Sequence, residues 1–280
     1  MGSDERDAAD ASDGVPAASP DAPPTDAPGP GPALEPRLER RAHAFSRRVP
    51  LVAGLVAVGL AALLGLVVTI RNGILVDLDE EWAEEILTIH GPFGDFLALT
   101  MNWLGGGVVG VFIIPVLVAV LLLVSRRPWG ALYFIVASAA SALVVQLLKE
   151  LFGRARPEDM MVTSDYGSFP SGHVANAATI AVALGVIVPR VAVWIAGACY
   201  TVLMAISRTY LGAHWITDTI GGALVGAGVA LVVWTVLAKP LERERLAWGE
   251  RRADAARARA EAHVTPPAKP RGGGDGSTTL

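Results

Sequence analysis

The 280-residue sequence is 52% hydrophobic and 18% charged, and its mean hydropathy of +0.46 is too high for an ordinary soluble domain. The apolar residues fall in blocks near bilayer length, which points to a multispanning membrane protein. The net charge of −4 averages acidic tails with basic membrane flanks, and the single cysteine, Cys199, excludes an intrachain disulfide and reads as a small core residue.

Residues 1–36 are rich in Pro, Ala, Gly and Asp and hold almost no large apolar side chains, so this segment reads as disordered. It is also too long and too acidic for the first part of a signal peptide. Arg37, Arg40, Arg41, Arg47 and Arg48 then precede a first apolar run, 50–70, long enough for one transmembrane helix. Cationic flanks stay in the cytoplasm, so the N-terminus is placed there. Residues 71–95 form an outside loop. Within it Leu78, Trp82, Ile86 and Ile89 share one helical face among acidic residues, the pattern of an amphipathic anchor on the membrane surface rather than a lid.

A second span covers 96–124. Its Gly105-Gly106-Gly107 and Gly110 read as close helix packing, since no Gly-Lys-Ser/Thr follows to make a phosphate loop. The third span is 129–148. The fourth opens at His173 and ends at Pro189-Arg190. The fifth covers 191–206, and the sixth 216–238, where Gly222 and Gly226 are spaced to pack on a neighbouring helix. The expected fold is therefore all-α: a six-transmembrane-helix bundle over 37–240, with disordered tails. Residues 241–280 read as a charged helical stub fading into disorder. Both termini fall in the cytoplasm, and each inside turn carries Lys or Arg. Lys149, Arg154 and Arg156 break that rule by clustering on the outer face.

Three polar islands lie on that face: Lys149 to Arg156-Pro157, Pro170-Ser171-Gly172-His173, and Ser207-Arg208 through His214 to Asp218. Lys149, Arg156 and Arg208 supply fixed cations for an anion, and Arg suits phosphate through its planar fork of donors. Ser171-Gly172 at a helix start supplies backbone N–H groups at a positive helix end. His214 and Asp218 are four apart, so the carboxylate can fix the imidazole and leave its other nitrogen free to attack. His173 is then available as the acid for the leaving oxygen. Each island alone has a plain structural reading: interfacial charges, a helix cap, a capping pair. A metal site on His173, His214 and Asp218 is disfavoured, because three cations would surround it.

Taken together, the islands resemble the motifs of the type 2 phosphatidic acid phosphatase superfamily, which includes bacterial lipid phosphatases, glucose-6-phosphatase and the vanadium-dependent haloperoxidases. Its pattern of Lys-x6-Arg-Pro, Pro-Ser-Gly-His and Ser-Arg-x5-His-x3-Asp is matched at every defining position, over about residues 95–238. The resemblance implies a six-helix membrane phosphatase that needs no metal and no cofactor. It makes His214 the nucleophile that becomes phosphohistidine, Asp218 its orienting partner and His173 the proton donor. Lys149, Arg156, Ser171, Gly172 and Arg208 would bind the phosphate. Arg154 has no place in the pattern.

The expected substrate is a lipid phosphate, either of the phosphatidic acid type or an isoprenoid diphosphate such as undecaprenyl pyrophosphate. The expected partners are that lipid and the bilayer, with no nucleic acid. The expected location is a bacterial plasma membrane with the site on the extracytoplasmic side. Transfer of the phosphoryl group to an acceptor other than water is the close alternative. A transporter is disfavoured because the ionisable groups gather at one face and not at the bilayer midplane, and a silent scaffold because His173, His214 and Asp218 are all present. The fourth and fifth runs are each only about 16 residues, roughly 24 Å of helix, which places the site slightly below the outer interface.

Overall fold

Each apolar block folds as a helix, because a backbone in hydrocarbon must satisfy its own N–H and C=O groups. The computed structural model describes residues 35–70 and 74–264, so the expected disorder of the first segment and of the last residues lies outside the described part. Packing separates Met1–His43 from Ala44–Leu280, and the bundle belongs to the second unit.

The described chain is helical, with α1 at Glu35–Thr69, α2 at Ile74–Thr88 and α3 at Pro92–Gly105. A π-helical turn at Val109–Ile113 leads into α4 at Ile114–Val124. The remaining helices are α5 at Pro128–Phe152, α6 at Gly172–Ile187, α7 at Val191–Tyr210 and α8 at Ile216–Val264. Among the described residues, four helices are long and apolar enough to cross a membrane: the part of α1 from Arg47, α5, α7 and α8. They become five if α3 and α4 count as one crossing bent by 48° at the glycines.

The structure therefore shows an all-helical bundle with four or five spans by length and composition, and a sixth is counted only if the short apolar helix at Gly172–Ile187 crosses as well. The odd one out is α6. It has 16 residues, and it sits inside the bundle between α5, α7 and α8, where protein and not lipid surrounds it. The fifth run is longer than expected, since α7 continues to Tyr210 over 20 residues.

The centre is built from small side chains. Ala175, Ala177, Ala178 and Ala183 of α6 are buried, and α8 meets this helix through Gly222 and Gly226. A Cβ at Gly226 would overlap the carbonyl of Ala175, so the two backbones touch as the spacing of the glycines predicts.

The helical stub expected after residue 240 is present, since α8 runs through Pro240 to Val264, and residues 265–280 lie outside the described part. Glu244 explains its start, because its carboxylate accepts from the N–H groups of Trp129 and Gly130 (2.7 and 3.0 Å), the open first turn of α5. Arg127 lies 3.6 Å from Glu244 and donates to the carbonyl of Ile187 (2.7 Å), tying α5, α6 and α8 at that end.

The amphipathic helix α2 does form, but not as a free surface anchor. Ile86 and Trp82 pack on Tyr210 and Leu211, while Leu78 and Ile89 stay exposed. Its inward face is rotated from the apolar stripe because Asp79 is drawn into the protein, where it is 1% exposed.

Candidate functional site

The site forms where the site-side ends of α5, α6 and α7 meet the start of α8. Lys149 lies in the last turn of α5, Gly172 and His173 open α6, and Arg208 lies in the last turn of α7. The chain then reverses through Gly212, whose φ of 63° is a left-handed conformation that suits glycine, and a Cβ there would strike the backbone of Asp159. This turn places His214 just before α8. Asp218, in the first turn of α8, folds back so that its Oδ2 accepts from the Trp215 N–H (2.9 Å). The N–H of Ser171 donates to the carbonyl of Asp218 (2.9 Å), so the second island is tied to the third by its backbone.

All eight sequence-predicted residues come together. Lys149, Ser171, Arg208, His214 and Asp218 are each less than 5% exposed. Nδ1 of His214 lies 3.6 Å from Oδ2 of Asp218. On the other side of the ring, Nη1 of Arg156 lies 3.2 Å from Nε2. A guanidinium can only donate, so Nε2 is the acceptor and the ring proton is on Nδ1, facing Asp218. His173 Nε2 is 3.2 Å from the carbonyl oxygen of Asn102, which can only accept, so His173 carries its proton on Nε2.

Burial, followed by the charges of Arg208 and Arg156, pushes the His214 imidazole from 6.5 down to about 4 against the pull of Asp218. At neutral pH the ring is uncharged and Nε2 keeps its lone pair. The folded value lies below the unfolded one. Stability contributed by this group is therefore complete above 6.5 and is lost as pH falls from 6.5 towards 4. The expected midpoint in an NMR titration of the His214 ring is near pH 4; a midpoint near 6.5 would mean the ring is solvated.

The anion-binding groups are pre-arranged by a residue the sequence did not single out. Asp165 Oδ1 accepts from Lys149 Nζ (2.9 Å) and Arg156 Nη2 (2.8 Å). Burial opposes its ionisation, but the Lys149 hydrogen bond and the charges of Lys149 and Arg156 win and hold its carboxyl below the usual value. The carbonyl of Gly167 accepts from the same two side chains (3.0 and 2.9 Å). Ser171 Oγ and Arg208 Nε are buried without a hydrogen-bond partner among the described residues, and buried polar groups are normally paired. Both are available to a ligand.

Asn102 was also missed. Its side-chain oxygen accepts from Arg208 Nη1, and its carbonyl takes His173, so one α3 residue sets both groups. Its only mark in the sequence is a lone polar residue within an apolar span, which does not by itself name a partner. The glycines that follow pack closely, as expected, but against the site itself: a Cβ at Gly106 would overlap the His173 ring.

A cavity of about 650 Å³ connects these groups to the side of the bundle. Lys149, His173, Arg208 and His214 line it, and its other walls include the apolar Val111, Phe112, Val116 and Ile135 together with the polar Ser138, Gln146 and Asn176. Those four apolar residues, on the π-helical turn, α4 and α5, are themselves exposed. The arrangement can hold both an anion and an apolar chain.

The profile of the PAP2 superfamily matches residues 130–241, which contain all eight residues. Phosphatidylglycerophosphatase B of Bacillus subtilis (strain 168) is 30% identical over 173 residues, covering 58% of this chain and 84% of the relative. The chain belongs to the PAP2 superfamily. It is a phosphatase and a membrane protein. The undecaprenyl-diphosphatase of Sulfolobus acidocaldarius is 32% identical over 124 residues, covering 41% of this chain and 59% of that protein. Among solved structures, a transmembrane PAP2 type phosphatidylglycerolphosphate phosphatase from Bacillus subtilis superposes with a TM-score of 0.57 at 26% identity, covering 64% of this chain and 93% of the other. The PAP2 match ends at residue 241, so the extension of α8 lies beyond it.

Proposed function

We propose that this PAP2 protein hydrolyses a lipid phosphate monoester or diphosphate through a phosphohistidine at His214. The observation that carries the reading is the cavity, whose walls include Lys149, Arg208 and both histidines as well as the apolar Val111, Phe112, Val116 and Ile135. A free phosphate metabolite has no use for such walls, whereas a lipid can enter sideways with its tail still in the bilayer. The names of the relatives, which include enzymes of glycerolipid and isoprenoid phosphates, support the same class.

Lys149, Arg156 and Arg208, with Ser171 and the N–H groups at the start of α6, hold the phosphoryl oxygens. These donors are fixed before the reaction, and such preorganised charge is where most of the rate enhancement arises. His214 Nε2 attacks phosphorus, the phosphorus–oxygen bond to the lipid breaks, and His173, which enters this step as the doubly protonated imidazolium, gives its Nε2 proton to the departing oxygen and is left neutral. Asp218 balances the positive charge that builds on the imidazole. Water then attacks the phosphohistidine, His173 takes the water proton, and inorganic phosphate leaves. The basic residues Arg126, Arg127, Arg190 and Lys239 lie at the opposite end of the bundle, which supports an extracytoplasmic site with the C-terminal end of the bundle in the cytoplasm.

The test is phosphate release by the detergent-purified protein in excess chelator, with phosphatidic acid, phosphatidylglycerophosphate and undecaprenyl pyrophosphate side by side. Release is expected to persist in chelator. The lipid turned over fastest identifies the tail and the phosphate. Loss of activity in chelator, restored by a divalent cation, would overturn a mechanism built on side chains alone. Failure on every lipid would direct attention to transfer to another acceptor.

A further inference from the structure

Arg154 fell outside the family pattern, and it occupies the back of the site. Its guanidinium is 9% exposed and lies between two carboxylates that are 1% exposed or less, Asp79 of α2 and Asp218 of α8. Nη1 donates to Asp218 Oδ1 (2.5 Å) and to Thr217 Oγ1 (2.8 Å), and Nη2 donates to Asp79 Oδ2 (2.6 Å). The indole of Trp215 packs on the guanidinium, 5.5 Å from its ring centre. We infer that Arg154, held by Asp79, is a positioning residue that fixes Asp218 behind His214. The inference rests on the reading of His214 as the reacting group.

Geometry comes first. With Oδ1 of Asp218 taken by Arg154 and Oδ2 by the Trp215 N–H, the carboxylate cannot turn, and Oδ2 is left facing Nδ1 of His214. Arg154 and Arg156 therefore hold the two ends of one Asp218–His214 pair from the same short segment, Arg154 at the carboxylate and Arg156 at Nε2.

Charge follows. A lone Arg154 would cancel Asp218 and remove the anion that His214 needs as its ring becomes positive. Asp79 prevents this by taking half of the guanidinium, so the group of three keeps a net charge of −1 beside the imidazole. Asp79 is itself secured at the N-terminus of α8, where it accepts from the Thr217 N–H (3.0 Å) and Thr217 Oγ1 (2.7 Å). The anchoring of α2 is thus part of the catalytic arrangement and not only a fold contact.

The test is a double-mutant cycle on the full-length protein in detergent. Asp79→Asn is expected to lower kcat about 10-fold and Arg154→Gln about 100-fold, with KM for the lipid unchanged, the range typical of residues that orient a catalytic ligand. The double variant should be no slower than Arg154→Gln, because Asp79 acts through Arg154. Arg154→Lys should fall between, since an ammonium cannot fork across two carboxylates. Independent effects of the two substitutions, or an unchanged kcat in Asp79→Asn at normal thermal stability, would overturn the inference.

A second readout needs no turnover. In ¹⁵N-histidine-labelled protein, the ring signals of His214, assigned by their loss in His214→Gln, should show a single Nδ1–H tautomer. Asp79→Asn and Arg154→Gln should mix the tautomers, and a single unchanged tautomer in both would sink the idea. If the wild type releases phosphate from none of the lipids, the functional reading fails and the tautomer alone decides the role of Arg154.

Discussion

His214→Ala is expected to reduce phosphate release by about 10⁴-fold or more while leaving the bundle folded. The chemistry has no substitute for the lost atom. Nε2 of His214 carries the lone pair of a ring fixed by Arg156 on one side and Asp218 on the other. His173 cannot take over, because its Nε2 carries the proton that goes to Asn102.

Folding should survive, since the anion-binding arms do not depend on the imidazole. Arg156 keeps the carbonyls of Ala213 (2.5 Å) and Gly167 (2.9 Å), and Lys149 keeps Asp165 and Gly167. Phosphate labelled in the lipid should be trapped on the wild-type protein by rapid alkaline quenching, be lost in acid as a phosphorus–nitrogen bond requires, and be absent from the variant. Retained turnover in His214→Ala would move the nucleophile elsewhere.

What made this site legible was the mismatch between charge and hydropathy. Lys149, Arg156, Arg208, His214 and Asp218 interrupt apolar blocks at their ends, and a charge in such a place needs a reason beyond topology. The same argument flagged Arg154 but could not give it a task, because its partner Asp79 is 75 residues away on a helix whose apolar stripe suggested a different docking face. Asp165 and Asn102 were hidden for other reasons. An acid in a loop looks solvated, and one asparagine between Met101 and Trp103 gives no spacing to read.

The fold followed the same division. Helix type and order could be read from composition, whereas the bend at Gly105–Gly107 and the short, enclosed α6 depend on neighbours. A glycine run records only that backbones come close. That the close partner is the ring of His173 is tertiary information.

His173→Gln separates two kinds of substrate. Glutamine can still donate an N–H to the Asn102 carbonyl, so the packing on Gly105 and Gly106 is largely retained, but it cannot deliver a proton. For a phosphate monoester the departing group is a lipid alkoxide, a poor leaving group unless protonated, and the expected loss in kcat is about 10²–10⁴-fold. For a lipid diphosphate the departing group is a lipid phosphate, already stable as an anion near neutral pH because phosphate monoesters have a second pKa of about 6. The loss there should be roughly 10-fold or less, since little protonation is needed. Comparing wild type with His173→Gln on phosphatidic acid and on undecaprenyl pyrophosphate therefore tests proton donation directly. Equal losses on both lipids would mean that His173 binds the phosphate and does not protonate the leaving oxygen. A loss confined to the monoester places the transferred proton on His173 Nε2, the nitrogen that Asn102 holds beside the cavity.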